Sequence, residues 1–135
     1  MTGTFLDTNV LLRHLLQDHP TLSPKATAIL DRIEGQGLKA RISDAVVFEV
    51  VFTLQRAYKR PRDRIAEVLL PLIELPGIVL PGKRRYRQVF ALYRSGSIGF
   101  VDCYHIVLMR QLGLKEILSF DAHFDHLPDI ERRES

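Results

Sequence analysis

The sequence predicts an α/β fold, a doubly wound α/β/α sandwich with a central parallel sheet. Short apolar segments alternate with longer segments of helical periodicity along the chain. The apolar segments lack the polar alternation of strands that face water on one side, so helices are expected to cover both faces of the sheet. With 135 residues, 46% of them hydrophobic, the chain is expected to form one domain over residues 1–135.

Capping and breaking residues place the elements of the first half. Ser and Asp favour helix N-caps, Pro favours the first helical turn, and Gly follows helix ends. These signals first predict a strand at 4–6, a helix at 10–17 ended by Asp18-His19-Pro20, and a helix from Ser23-Pro24 to Gly35. A strand at 38–43 follows, and then a helix that is capped by Ser43 or Asp44 and ends near Tyr58. The last helix of this half is opened by Pro61, and Pro71 kinks or interrupts it.

The second half follows the same signals. An apolar strand at 77–80 lies between two prolines, and Tyr86, Val89, Phe90 and Tyr93 share one face of the helix that follows, as core or dimer-interface residues. The remaining predictions are a helix at 99–112 ended by Gly113, a strand at 116–120, a short strand near Ile130 and a loose polar tail at 131–135.

Composition narrows the class of protein. No apolar run could span a bilayer and no signal peptide is visible, so a cytoplasmic protein is expected. The single cysteine, Cys103, excludes an internal disulfide and predicts a small core residue. Despite a net charge of only +3, cations cluster at residues 59–64 and 83–87. Each cluster suits either a phosphate backbone or a solvated helix end.

Three acids are predicted at one edge of the sheet. Asp7 ends the first strand, Asp121 follows the strand at 116–120, and Asp102 lies in the first turn of the helix at 99–112. Strand carboxyl ends and helix N-termini share one edge of such a sheet, where ligands collect. Glu49 is the only charge within the apolar stretch 45–54, and a mostly small helical face would let it reach the same edge.

Each acid also has an ordinary structural interpretation. Asp7, Thr8 or Asn9 could cap the following helix, and Asp102 could be a favourable charge at a helix N-terminus. Asp121 could cap the turn at Ala122-His123, and Glu49 could point to solvent beside Arg56.

Four carboxylates near one point would repel one another unless a cation neutralised them. Oxygen ligands select Mg²⁺ or Mn²⁺ rather than zinc. Such an ion can bind a scissile phosphate and activate water, so phosphodiester hydrolysis is the predicted chemistry. The side chains of Thr8, Asn9 and Ser119 would then orient the carboxylates or a bound water.

These residues resemble a known family, the PIN-domain ribonucleases, and more narrowly the VapC-type toxins of toxin–antitoxin pairs. The resemblance rests on residues 5–12, the stretch 43–54 with Glu49, Asp102 opening an apolar helix, and residues 118–121 followed by Phe124 and Leu127. It implies metal-dependent RNA cleavage through Asp7, Glu49, Asp102 and Asp121. It also implies a homodimer and a small antitoxin whose C-terminal segment occupies the active-site groove.

The chain departs from that family at two positions. Ser119 stands where relatives usually have Thr, which keeps the hydroxyl. His123 stands where many relatives carry another acid; either Asp125 replaces that acid or the site holds one metal less firmly.

Other functions fit less well. A phosphotransferase of the haloacid-dehalogenase type needs an acid where this chain has Asn9, and a receiver-like domain needs an Asp after the strand at 77–80, where none stands. A PIN-like domain that binds RNA or protein without cleaving is the remaining alternative.

Overall fold

The computed structural model describes residues 3–135 and has the predicted α/β architecture, with helices between short parallel strands. Its helices are α1 (Thr8–Leu16), α2 (Leu22–Glu34), α3 (Asp44–Arg56), α4 (Arg62–Ile73), α5 (Arg85–Ser95) and α6 (Phe100–Leu112). Its strands are β1 (Ala40–Arg41), β2 (Ile78–Val79), β3 (Glu116–Leu118) and β4 (Glu131–Arg133), and a 3₁₀ turn covers Ala122–His126.

The strands pair in two groups within the described part of the chain. In the first, β1 pairs parallel with β2, and residues 4–6 pair parallel with Arg41 on its other side. The Leu6 N–H donates to the Arg41 carbonyl at 2.9 Å, and the Arg41 N–H donates to that of Thr4 at 2.7 Å. In the second, β3 pairs parallel with β4. The strands are all parallel, as predicted, but shorter than the sequence suggested.

The helices pack as neighbours around one hydrophobic core. Helix α1 lies against α2 and α3, α3 also contacts α4 and α6, and α5 contacts α4 and α6. Val50, Ile65, Tyr86 and Ile106 are fully buried members of this core. Among the described residues, none of the helices is both long and apolar enough to cross a lipid bilayer.

Two predicted helix ends are confirmed, and the structure shows in addition why a glycine precedes β2. The Ser43 hydroxyl caps α3 by accepting the N–H of Val46. Gly113 ends α6 in the left-handed conformation, with φ of 73°, where a residue without Cβ is favoured. Gly77, just before β2, has no room for a side chain, since a Cβ there would lie 2.7 Å from the Ile33 carbonyl oxygen.

Three local predictions are wrong. Helix α2 begins at Leu22, before Ser23, because the His19 ring nitrogen accepts the N–H groups of Thr21 and Leu22. Pro71 does not interrupt α4, which continues to Ile73; the proline stands in the last turn, so only two helical residues follow it. The segment expected to be a loose tail contains β4.

Candidate functional site

Asp7 stands where residues 4–6 meet helix α1. Its backbone is extended and occupies the N-cap position, but its side chain makes no capping hydrogen bond. The carboxylate is exposed and has no hydrogen-bond or ion-pair partner within residues 3–135. The capping interpretation therefore does not explain this side chain, and both carboxylate oxygens remain free to bind a cation.

Thr8 and Asn9 form the first turn of α1 beside Asp7. Thr8 is buried and Asn9 is exposed, and neither side chain makes a hydrogen bond to another described residue. Their predicted role in orienting a carboxylate or a bound water therefore stays a prediction.

Glu49 projects from the exposed side of α3. The inward side of this helix carries Val46, Val47, Val50, Val51 and Leu54, which are buried, whereas Glu49 is exposed. It forms no ion pair with Arg56, whose guanidinium instead lies 4.9 Å from the ring centroid of Phe52. Like Asp7, Glu49 has an unpaired carboxylate in the described part of the chain.

Asp102 is the third residue of α6 and is half-buried. Its carboxylate also has no hydrogen-bond partner among residues 3–135. It borders a cavity of about 250 Å³ that lies between α3 and the start of α6. The next residue, Cys103, is a buried core residue, as predicted; burial raises the pKa of its thiol to about 11.

Asp121 follows β3 and opens the 3₁₀ turn. Its Oδ1 accepts the backbone N–H of His123 at 2.9 Å, and this bond is the main cause that holds the pKa of Asp121 below its usual value. The His123 ring nitrogen Nδ1 lies at 2.9 Å from the same oxygen. The predicted capping role is therefore realised through Oδ1, and Oδ2 remains open.

The predicted neighbours of Asp121 have separate partners. The Ser119 hydroxyl accepts the backbone N–H of Asp121 at 3.0 Å, so it shapes the turn rather than contacting the carboxylate. Asp125 forms a two-pronged ion pair with Arg132, at 2.9 and 3.1 Å, and these hydrogen bonds lower the pKa of its carboxyl. Arg132 also donates to the Ser119 carbonyl, so it ties the turn to β4.

The four acids are not gathered into one cluster in this arrangement. Within residues 3–135, no group of three or more His, Cys, Asp or Glu side chains is placed to hold a metal ion. Asp7 follows residues 4–6, which pair in the first group of strands, whereas Asp121 comes after β3, which belongs to the second group. No backbone hydrogen bond joins residues 4–6 to β3.

A network that the sequence did not reveal joins the helices bearing Glu49 and Asp102. Asp44, read only as a helix cap, accepts the hydroxyls of Tyr86 at 2.6 Å and Tyr104 at 2.9 Å. Arg85 donates to the Tyr104 hydroxyl at 3.0 Å. Burial is the main cause that raises the pKa of both tyrosines, and their bonds to Asp44 add to it. The network fixes α6 against α3.

The two basic clusters are partly structural. Arg62 donates to the carbonyls of Tyr93 and Ile98, at 3.0 and 2.6 Å, and Lys83 donates to two others at 2.7 and 2.8 Å. Arg87 pairs with Glu74. Lys59, Arg60 and Arg84 are exposed without ion-pair partners in the described part of the chain. Only part of each cluster is therefore available to an anionic partner.

Comparison with known proteins identifies the family. The sequence profile of the PIN domain matches residues 4–130. A curated relative, a VapC ribonuclease of Aquifex aeolicus (strain VF5), is 30% identical over 124 residues, which cover 90% of this chain and 90% of the relative. With the parallel strands and helices described above, these similarities show that the chain belongs to the PIN-domain family.

Proposed function

We propose that this chain is a metal-dependent endoribonuclease, the toxin of a toxin–antitoxin pair, which hydrolyses RNA phosphodiester bonds. The observation that carries the proposal is the similarity, over 90% of its length, to a relative that is named a ribonuclease. The acids predicted from the sequence add to it, since all four are at least partly accessible to solvent.

We propose Asp7, Glu49, Asp102 and Asp121 as the residues that hold the metal, Mg²⁺ or Mn²⁺. Their donor atoms are all carboxylate oxygens, which suit a hard divalent cation. The first three have no competing partner among the described residues, and Asp121 keeps one oxygen open. A bound ion would supply charge neutralisation of the phosphate and a lowered pKa for a coordinated water.

Other residues would position these ligands. Ser119 holds the turn that carries Asp121, and the Asp125–Arg132 pair holds the same turn against β4. Thr8 and Asn9 are proposed to orient Asp7 or the water that attacks the phosphate. Asp125 therefore supports the site indirectly in this proposal.

The proposed partners follow from the same similarity. They are an RNA substrate, a cognate antitoxin protein and a second copy of this chain in a homodimer. The single PIN-like domain would act in the cytoplasm, where RNA is accessible.

A second candidate function is RNA or protein binding without cleavage. The observation that favours it is the lack of a gathered acid cluster within residues 3–135. Binding without chemistry would need exposed cations but no bound metal.

The test incubates the purified protein with total cellular RNA and Mg²⁺, Mn²⁺ or chelator, and maps new RNA ends by sequencing. Asp7→Asn is the test variant, because it removes a ligand charge at nearly unchanged volume. Asp31→Asn is the matched control, since Asp31 is an exposed, unpaired acid on α2.

Metal-dependent cuts that persist in Asp31→Asn and disappear in Asp7→Asn are expected. Cleavage by fully active Asp7→Asn would refute the proposed metal ligands. RNA binding without cleavage under any condition would support the second candidate.

A further inference from the structure

A cavity of about 250 Å³ opens between α3 and the first turn of α6, beside Asp102. Its apolar walls include the rings of Phe48, Phe52 and Phe100. Phe48 and Phe100 pack edge to face, with ring centroids 6.2 Å apart, and together they line the inner side of the cavity. The cavity is smaller than the pockets of roughly 300–1,000 Å³ that take drug-sized ligands, which suits a single ring system.

Phe52 is the accessible wall of this cavity. Its side chain is 60% exposed, although it is a large aromatic residue on a regular helix. Arg56 lies over the ring at 4.9 Å from the centroid and makes no ion pair with another described residue. Together the two side chains present an aromatic ring and a planar cation at the same opening.

Three polar groups at the cavity have unused hydrogen-bonding capacity. The Gln55 Oε1 accepts the Tyr93 hydroxyl at 2.5 Å, which fixes the amide and leaves its Nε2 donors without a partner within residues 3–135. Arg56 offers further donors, and the Asp102 carboxylate offers acceptors. An apolar slot bordered by donors and an acceptor matches the face and the edge of a nucleobase.

The cavity adjoins the proposed cleavage site. Asp102 belongs to both, and Glu49 precedes Phe52 by three positions on α3, so their side chains are neighbours on the helix. A base held here would have its own phosphate next to these acids.

We propose that this cavity binds one unstacked base of single-stranded RNA beside the cleaved phosphodiester, and that it sets base preference. Phe52 stacks on the base, and Gln55 and Arg56 donate hydrogen bonds to its edge. The inference rests on the proposed ribonuclease function and names a specificity subsite for it. Exposed aromatic and guanidinium planes are the groups that bind splayed-out RNA bases.

Binding is measured apart from cleavage, by fluorescence anisotropy of labelled eight-nucleotide RNAs of each base, with chelator present. Phe52→Ala removes the stacking surface and should weaken binding of the preferred RNA about 10-fold or more. Phe52→Trp restores a stacking ring and should restore affinity. Leu112→Ala is the control, because Leu112 is 63% exposed and lies outside the cavity.

Gln55→Glu tests the base preference. It keeps an oxygen for the Tyr93 hydroxyl and removes the Nε2 donors, so the ratio of affinities among the four RNAs should change, beyond any uniform loss from the added charge. An unchanged ratio would contradict the assigned role of Gln55. Circular dichroism and thermal unfolding of each variant verify that it folds.

Three results from binding and sedimentation would overturn the subsite, and one cleavage result would do so as well. The first is an unchanged RNA affinity of Phe52→Ala, and the second is an equal loss of RNA affinity in Leu112→Ala. The third is that Phe52→Ala converts a dimer to a monomer in sedimentation, which would make this face an interface between copies of the chain. If the wild type cuts RNA and Phe52→Ala cuts the same positions equally fast, the subsite fails and the ribonuclease proposal stands. If the wild type shows the predicted binding but never cuts, the ribonuclease proposal fails alone.

Discussion

The Tyr86 hydroxyl donates to Asp44 Oδ1 at 2.6 Å and so fastens helix α5 to the first turn of α3. Tyr86 is fully buried, and the second oxygen of Asp44 accepts the hydroxyl of Tyr104 on α6. One carboxylate therefore joins three helices, two of which carry proposed metal ligands.

Replacing Asp44 by Ala should destabilise the fold by roughly 2–4 kcal/mol, because two tyrosine hydroxyls lose their acceptor. Urea unfolding measures the change. Tyr86→Phe in the Asp44→Ala background should cost less than in the wild type, since the hydroxyl it removes is already unpaired. Equal costs in both backgrounds would show that the two residues are not coupled.

Divalent metal should stabilise the protein through the proposed ligands. Mg²⁺ at a concentration about 100 times its dissociation constant should raise the free energy of unfolding by roughly 2.7 kcal/mol, and the melting temperature should rise with it. Asp102→Asn should remove this shift and leave the melting temperature of the metal-free protein close to that of the wild type, because its carboxylate has no hydrogen-bond or ion-pair partner within residues 3–135. The Asp31→Asn control should keep the shift, and a full shift in Asp102→Asn would remove Asp102 from the ligand set.

Stability should fall as the pH drops below about 6.5, in part through His14. Burial lowers the pKa of this imidazole from its ordinary value of 6.5, while Asp31 and Glu34 oppose the change. The unfolded state therefore binds a proton at a higher pH than the folded state does, and acid favours unfolding. His14→Gln should reduce the loss of stability between pH 7.5 and 5.5 in urea titrations; an identical loss would assign it to other groups.

Gly77→Ala should destabilise by about 1–3 kcal/mol, because the added Cβ would meet the Ile33 carbonyl oxygen at 2.7 Å. Gly37→Ala is the matched control, since the nearest atom to its added Cβ lies at an ordinary 3.7 Å. Chemical denaturation of both variants measures the difference. Equal stability of the two variants would mean that the segment leading into β2 shifts to make room.

The cations at residues 59–64 should separate into two functional classes. Arg62→Ala should lower stability, because its guanidinium holds the carbonyls of Tyr93 and Ile98. Arg60→Ala should leave stability unchanged but reduce the salt dependence of RNA affinity by roughly 0.7 in the log–log slope, since Arg60 is exposed and unpaired in the described part of the chain. Anisotropy titrations at several salt concentrations test this, and an unchanged slope would place Arg60 outside the RNA path.

Elements governed by local sequence were predicted well. Ser43 caps α3 as expected and Gly113 ends α6, because both signals act within a few residues. Contacts between distant residues were not predictable in this way. The partners of Asp44 lie 42 and 60 positions away, and nothing near Asp44 in sequence distinguishes a helix cap from the centre of a network.

The candidate site shows the same division. Spacing alone placed Asp102 in the first turn of a helix, where the structure has it. It placed Asp7 after a strand, and the structure has a single parallel bridge at Phe5 in its place. Spacing did not reveal that Arg132 engages Asp125, because this contact depends on how the 3₁₀ turn folds against β4.

The burial of Cys103 protects the native protein from thiol reagents. This residue is the only cysteine of the chain, it is buried, and its pKa is raised to about 11, so at neutral pH it presents almost no reactive thiolate. The rate at which a thiol probe labels it therefore reports how often the core around α6 opens. A cysteine introduced at an exposed position such as Phe52 can be labelled selectively, without first removing the natural one.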